Sequence, residues 1–385
     1  MDPIFLAKQI MTRFADSTGL SNPERSPERY LWTDAFAVCN FLELSRLTGE
    51  ESWRQSAMNL IIQVHYILGH HRQDDPRDGW ISGLSEKEGA GHPTRGGLRI
   101  GKSINERKPT DTYNDRDEWN RDGQYYHYLT KWMHALNCTT LSTGDPQFNL
   151  WAIELAKTAH SAFVNTLKDG SKRMYWKMSI DLSFPLVPSM GQHDPLDGLA
   201  TYKQLQTTAL EFDQNMNLSL DSEIADMESI CKDMDWATDD SLGIGGLLRD
   251  AYRILKLNLE TGSDQTSLLI DLLDASLLGL DAFTRGRLLQ LPADYRLAFR
   301  ELGLAIGLHA VAKIKDLVEQ NRDVPFQYQL VHERINQFEP YIHLSESIEN
   351  FWLEPRHRKS QSWREHKHIN GVMLAASLVP EGYLR

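Results

Sequence analysis

The chain has 385 residues, 41% of them hydrophobic and 10 of them Trp, enough for a large buried core. A formal net charge of -12 argues against a general nucleic-acid or membrane-surface role. The three cysteines, Cys39, Cys138 and Cys231, lie far apart without CxxC spacing, so neither a disulfide framework nor a zinc ligand set is expected and a reducing cytoplasm is the default setting.

Helical periodicity runs almost from end to end. Ile4, Ala7, Ile10 and Phe14 begin one helix. This segment lacks the continuous apolar run of a signal peptide, and no stretch elsewhere reaches membrane-spanning length. Residues 36–47 predict a second helix, with Thr33 or Asp34 placed to cap it. Trp53, Ala57, Leu60, Ile61, Val64 and Leu68 space a third. A polar, glycine-rich insert over residues 70–121 follows, without apolar periodicity worth a core. It mixes Trp80, Tyr113 and Trp119 with carboxylates, arginines and His92, a composition that favours a binding surface.

Tyr125, Tyr128, Leu129, Trp132, Met133 and Leu136 make a fourth helix with Asp122 just before it. Leu155, Ala159, Phe163 and Leu167 make the next. Later helices are expected at 194–210, 219–233, 240–258, 264–283, 293–319, 328–350 and 365–378. Residues 268–280 and 297–314 are apolar nearly all round and belong inside, whereas 53–68 and 151–167 are one-faced and belong on an outer layer. Short hairpins are possible only at 97–100 and 174–180. About twelve helices with alternating burial and short connections predict an all-α chain of helical hairpins, one domain over residues 1–385.

Chemistry concentrates in the loops. The run Asp115 to Asp122 surrounds Trp119 with carboxylates. Cleavage of a glycosidic bond commonly uses two carboxyl groups, one protonated and one ionised, and a tryptophan offers a flat face for a sugar ring while raising a neighbouring carboxyl pKa. Were the helix to begin early, Glu118 and Asp122 would share a face at i, i+4; otherwise Asp122 is an N-cap and the other charges are solvated. Residues 70–80 hold His70, His71, Asp74, Asp75, Asp78 and Trp80. The two histidines either bind a metal or shuttle protons or, the favoured reading, complement a helix C-terminus, since adjacent histidines point different ways and do not easily chelate one ion.

Residues 86–108 carry Gly96 and Gly97 beside Arg95, Arg99 and Lys102. No Walker A loop is present, so these donors suit a carboxylate or phosphate on a small ligand. Between 175 and 198, Pro185, Pro188 and Pro195 stiffen a loop that holds Trp176, His193, Asp194 and Asp197. His193 and Asp194 fit an acid/base group and its partner, or Asp194 or Asp197 simply caps the next helix. Asp239 and Asp240 precede another helix, in which Gly243, Gly245 and Gly246 permit close approach of a neighbour. Residues 356–368 are dense in Arg, Lys and His around Trp363, either closing over an acidic ligand or forming a solvated face. No G-x-S-x-G, HExxH, EF-hand or dinucleotide motif occurs, which leaves a site without metal or cofactor, built from carboxylates, aromatics and histidine.

The helix number, chain length and Trp-rich polar loops resemble the (α/α)6 toroid of six-hairpin glycosidases and sugar epimerases, over most of the chain. The resemblance is architectural. It implies a site at one end of the toroid, in loops leading into inner helices, so that the segments at 32–34, 119–122, 193–197 and 239–240 would open on one rim. The reading is then a carbohydrate-active enzyme, a glycoside hydrolase on a soluble oligosaccharide, with Asp117, Glu118, Asp122, Asp194 and His193 as catalytic candidates. Trp80, Trp119 and Trp176 would be sugar platforms. Arg95 and Arg99 would orient a polar group, and Trp32, Asp34, Asp78, Tyr125 and Asp197 would line the substrate. The alternatives are an epimerase using His193 with His71, His127 or His366, and a non-catalytic helical binding or scaffold protein. A small carbohydrate is the expected partner, with no nucleic acid and no membrane; the oligomeric state is left open.

Overall fold

The computed structural model describes residues 2–212, 219–232, 234–321 and 327–385. The chain divides into two compact units, residues 15–233 and residues 1–14 with 234–385. Helix α1 (Pro3–Ser17) buries Ala7, Met11, Phe14 and Ala15, the stripe expected of its amphipathic pattern.

In the unit of residues 15–233, helices pair as α2 (Leu31–Thr48) with α3 (Glu51–Leu68), α6 (Tyr126–Thr143) with α7 (Gln147–Phe163), and α8 (Asp194–Glu211) with α9 (Asp221–Cys231). Between the first two pairs come α4 (Glu86–Gly91), α5 (Asp115–Asn120) and β1 (Gln124–Tyr125). Packing of α6 against both α2 and α8 puts the first helix of each pair inside. Leu31 to Leu44 are accordingly buried on every side of α2, polar residues included, while α3 and α7 bury one face, as their patterns require. Asp34 is not the cap of α2. It sits inside the first turn, its carboxylate accepting the Tyr30 N–H at 2.9 Å.

The strands are short. β1 pairs with β4 (Lys177–Met178), which pairs with β5 (Pro185–Val187), all antiparallel, and β2 (Val164–Thr166) forms a hairpin with β3 (Lys172–Met174). The expected strand at 174–180 is thus divided between two sheets. Residues 97–100 form no strand. Their backbone bonds instead to Gly123, Leu68 and Leu31, and Leu98 and Ile100 are buried. With Trp80 and Ile81 also buried, the insert has a small core of its own that its polar composition conceals.

In the unit containing residues 234–385, α10 (Ser241–Thr261) packs on α11 (Thr266–Arg285) and on α12 (Ala298–Gln320). α13 (Gln327–Asn336) lies on α11, while α14 (His343–Leu353) and α16 (Lys367–Leu378) lie on α12, with the short α15 (Gln361–Glu365) before α16. The single helix expected over 328–350 is broken by a 3-10 turn at Glu339–Tyr341, where Pro340 has no N–H to give. The expected burial is right for α12 and wrong for α11: Asp271, Asp274 and Asp281 mark a solvent face on α11, and Leu278 is exposed. Trp363 is buried and stacked on Trp352, ring centroids 5.5 Å apart, so the basic segment around it is anchored by core packing. Among the described residues no helix is long and apolar enough to cross a membrane.

Gly245 explains how closely α10 and α12 approach. A Cβ there would lie 2.1 Å from the Gly303 carbonyl oxygen, whereas one on Gly246 would meet nothing within 4 Å. Gly245→Ala should therefore cost about 1–3 kcal/mol through overpacking, and Gly246→Ala should be neutral or slightly stabilising because alanine favours helix. Urea unfolding of the two variants checks this; equal stabilities would contradict the close crossing.

Candidate active site

Two kinds of carboxylate meet near the N-terminal ends of α2, α6 and α8. The first kind is saturated by the protein. Asp122 is completely buried and is not a helix cap, since α5 ends at Asn120 and α6 begins at Tyr126. Its Oδ2 accepts from Arg99 at 3.0 Å and Arg72 at 3.3 Å, and its Oδ1 accepts from the backbone N–H groups of Gly101 and Gly123. Arg99 also donates to the carbonyls of Ile67 and His70, so its guanidinium is committed within the fold. Glu118, also buried, accepts from Lys177 at 2.8 Å and from Arg107 at 3.0 Å. The expected i, i+4 face of Glu118 and Asp122 does not form, because Arg121 between them is extended. Burial pushes the Lys177 ammonium below its ordinary pKa, with Glu118 opposing the shift.

The second kind is poorly satisfied. Asp194 opens α8, where a Cβ on Gly191 would lie 2.6 Å from its carboxyl group, so a larger residue there would push that carboxyl group aside. Desolvation and the neighbouring Asp197 raise the Asp194 pKa to about 7, with Lys131 opposing. Its Oδ1 lies 3.8 Å from His127 Nδ1. Asp197, by contrast, accepts from Lys131 and Thr130 of α6. Desolvation, aided by Lys131, lowers the His127 pKa to about 3, so this imidazole is neutral at physiological pH. Asp34 is raised to about 6 by burial, against the pull of Arg29 3.6 Å away.

Aromatic rings join these groups. His127 stacks with Trp176 at 6.2 Å and meets Trp32 edge-on at 5.9 Å. Tyr125 contacts Trp176 at 5.3 Å and Trp119 at 6.4 Å, and Trp32 contacts Tyr128 at 5.3 Å. The Lys131 ammonium lies over Trp32, and that of Lys177 over Tyr125. Trp119 is 53% exposed, with the Lys102 ammonium over its ring at 5.4 Å and Trp176 beside it at 5.8 Å. Lys102 donates to the Trp119 carbonyl and is lowered to about 8 by burial and by Lys177. Three buried polar atoms in this cluster, Trp32 Nε1, His127 Nδ1 and Asp194 Oδ2, have no hydrogen-bond partner among the described residues.

The structure thus brings together Trp32, Trp119, Tyr125, Trp176, Asp194 and Asp197, with Glu118 tied in behind them through Lys177, which lies over Tyr125. His193 immediately precedes α8. Other candidates lie apart. Trp80 is buried against His70, ring centroids 4.0 Å apart, and offers no open face. Asp78, Arg95 and Asp117 are exposed, and Arg95 contributes a backbone carbonyl that accepts from Thr158. Asp240 belongs to the other unit, where it caps α10 by accepting the Gly243 N–H at 3.0 Å. Lys131, Tyr30 and Tyr128 are not among the residues that the sequence singles out for the site, Lys102 is expected only as an anion donor, and His127 only among the epimerase histidines. A lysine set among Leu129, Trp132, Met133 and Leu136 is the available signal for Lys131.

No family model and no curated protein sequence matches the chain. Solved structures do. The GH76 α-mannanase from Bacteroides thetaiotaomicron is similar with a TM-score of 0.57 at 10% identity, over 100% of this chain and 97% of that chain. An inactive variant of the GH76A α-1,6-mannanase of Salegentibacter sp., two consecutive aspartates replaced by alanine and α-1,6-mannotetrose bound, is similar with 0.53 at 12% identity over 100% of both chains. Cellobiose 2-epimerase from Spirochaeta thermophila is similar with 0.51 at 12% identity over 98% of both. At such identities the likeness establishes the fold: all-α, of the (α/α)6 toroid class found among glycosidases and sugar epimerases.

Two outcomes follow from the contrast between the carboxylates. Asp122→Asn leaves the Arg99 guanidinium without its anion and Arg72 with Asp74 alone, and should cost about 3–5 kcal/mol in urea unfolding; wild-type stability would show that the cluster holds nothing. Asp194 behaves oppositely. Its folded pKa lies above that of the unfolded chain, so the fold loses stability as pH rises from about 4 through about 7. Asp194→Asn should therefore gain on the wild type across that range, on the order of 2–4 kcal/mol between pH 4 and pH 8. A pH-independent difference in unfolding free energy would refute the raised pKa.

Proposed function

We propose that this protein is a carbohydrate-active enzyme, a glycoside hydrolase acting on an oligosaccharide, with Asp194 as the proton donor. The observation that carries the reading is the convergence of Asp194 Oδ2, His127 Nδ1 and Trp32 Nε1, three buried polar atoms without hydrogen-bond partners among the described residues, inside one aromatic cluster. Native structures rarely leave such atoms unsatisfied unless a ligand meets them, and a sugar offers hydroxyls to the polar atoms and C–H faces to rings such as Trp119 and Trp176. A carboxyl with a pKa of about 7 is protonated often enough at neutral pH to donate to a leaving glycosidic oxygen. Asp197, ion-paired to Lys131, is the second carboxylate of the proposed pair. Three buried cysteines that form no disulfide support a reducing, cytoplasmic setting.

The second reading is sugar epimerisation at the same groups. It is favoured by one specific contact, the neutral His127 Nδ1 at 3.8 Å from the Asp194 carboxyl, a base and an acid placed side by side.

One experiment separates the two. α-1,6-Mannotetraose and cellobiose are incubated with the protein in heavy water, and products are followed by chromatography and NMR. Shortened manno-oligosaccharides without deuterium at carbon support hydrolysis, whereas deuterium at C2 of an intact disaccharide supports epimerisation. For a hydrolase, the rate should fall as pH rises through about 7, as the acid ionises, and Asp194→Asn should lose at least ~100-fold in kcat while retaining the wild-type circular dichroism spectrum. Undiminished turnover by Asp194→Asn would remove it from the catalytic set.

A further inference from the structure

Folding brings two of the three scattered thiols to one imidazole. Cys39 lies on α2, and His134 and Cys138 lie on α6, where an i, i+4 pair shares a helix face. α2 packs against α6. All three residues are buried, and one donor atom from each lies within 4.8 Å of the other two. The ring orientation adds an independent observation. His134 Nδ1 is 3.3 Å from the Gln204 side-chain oxygen on α8, and an amide oxygen only accepts, so Nδ1 carries the proton. Nε2 keeps its lone pair and faces Cys138 Sγ at 3.5 Å. A histidine that donates through one nitrogen to a carbonyl while presenting the other is arranged as metal-ligating imidazoles are.

We infer that Cys39, His134 and Cys138 form a binding site for a thiophilic closed-shell cation, Zn2+ or Cu+. Two thiol protons leave to solvent as the cation binds, the sulfurs ligate as thiolates and His134 ligates as the neutral imidazole; no oxidation state changes. Donors around such an ion stand ~3.5–4 Å apart, given bonds of about 2.0–2.3 Å, so the present cluster needs only a small inward adjustment. Zn2+ with two thiolates is net neutral, which suits a buried site, but takes a fourth donor. Cu+ is satisfied by three soft ligands and leaves one negative charge. Either ion would fasten α2 to α6, the two helices whose N-terminal ends carry Trp32 and His127.

The test uses the full-length reduced protein, refolded from urea with Zn2+ or, anaerobically, with Cu+, then freed of loose metal by gel filtration. Mass spectrometry of the eluate should find about one equivalent of one ion, with a raised melting temperature. Which ion is retained distinguishes the four-donor from the three-donor site. Substituting Co2+ should produce a thiolate-to-metal charge-transfer band. Cys39→Ser and Cys138→Ser should lose the retained ion and the band, whereas Cys231→Ser should keep both. Stoichiometric retention by Cys39→Ser and Cys138→Ser would overturn the assignment. So would refolded wild-type protein that retains neither ion and gives no cobalt band, a result that needs no variant to fold.

Discussion

The buried Asp122 carboxylate ties the polar insert to the helices it serves. Arg72, at the start of the insert, and Arg99, near its middle, meet on one oxygen of Asp122, while the backbone of Gly101 and Gly123 closes on the other. Arg99 extends the hold to the end of α3 through the Ile67 carbonyl, and Arg72 donates to the backbone of Lys102 and Ser103. Fixing Gly123 in turn sets the chain that becomes β1 and then α6. A long polar segment with few regular elements is thereby ordered by charge, at the cost of desolvating three ionic groups that only their mutual geometry offsets.

A division of labour among the carboxylates follows. Glu118 and Asp122 are each met by two cations and supply rigidity. Arg77 does similar work further out, joining Asp75, Glu106 and Asp181. Asp194 is buried with no Lys or Arg paired to it among the described residues, and burial together with the nearby Asp197 raises its pKa. Asp197, one turn later on the same helix, takes the Lys131 ammonium and leaves Asp194 with a like charge beside it. A single lysine on α6 therefore separates two nearby carboxyls into an ion-paired one and a protonatable one, and the same charge helps hold His127 neutral.

Much of this is legible along the chain. The carboxylate-and-tryptophan loops before α6 and α8 stand out as sites of chemistry, and Trp119, Trp176, Asp194 and Asp197 do gather. The partners of each carboxylate are not legible. Arg72 and Asp122 are fifty positions apart, Lys131 and Asp197 sixty-six, and sequence spacing carries no information on contacts of that range. Trp80 reads like Trp119, a tryptophan among polar residues, yet one packs on His70 and the other faces outward.

Local patterns alone determined the all-α class, most helix positions and the one-faced character of α3 and α7, because 3.6-residue periodicity records which side of a helix meets the core. The same patterns could not rank α11 against α12, since leucine content does not say how many neighbours will cover a helix. Nor could they reveal that α2 is buried through its polar positions or that Cys39 faces His134 and Cys138. Only the tertiary structure decided which carboxylates are neutralised and which is left protonatable. Burial and ion pairing are properties of the assembled neighbourhood, and a residue's pKa is set by what surrounds it in space.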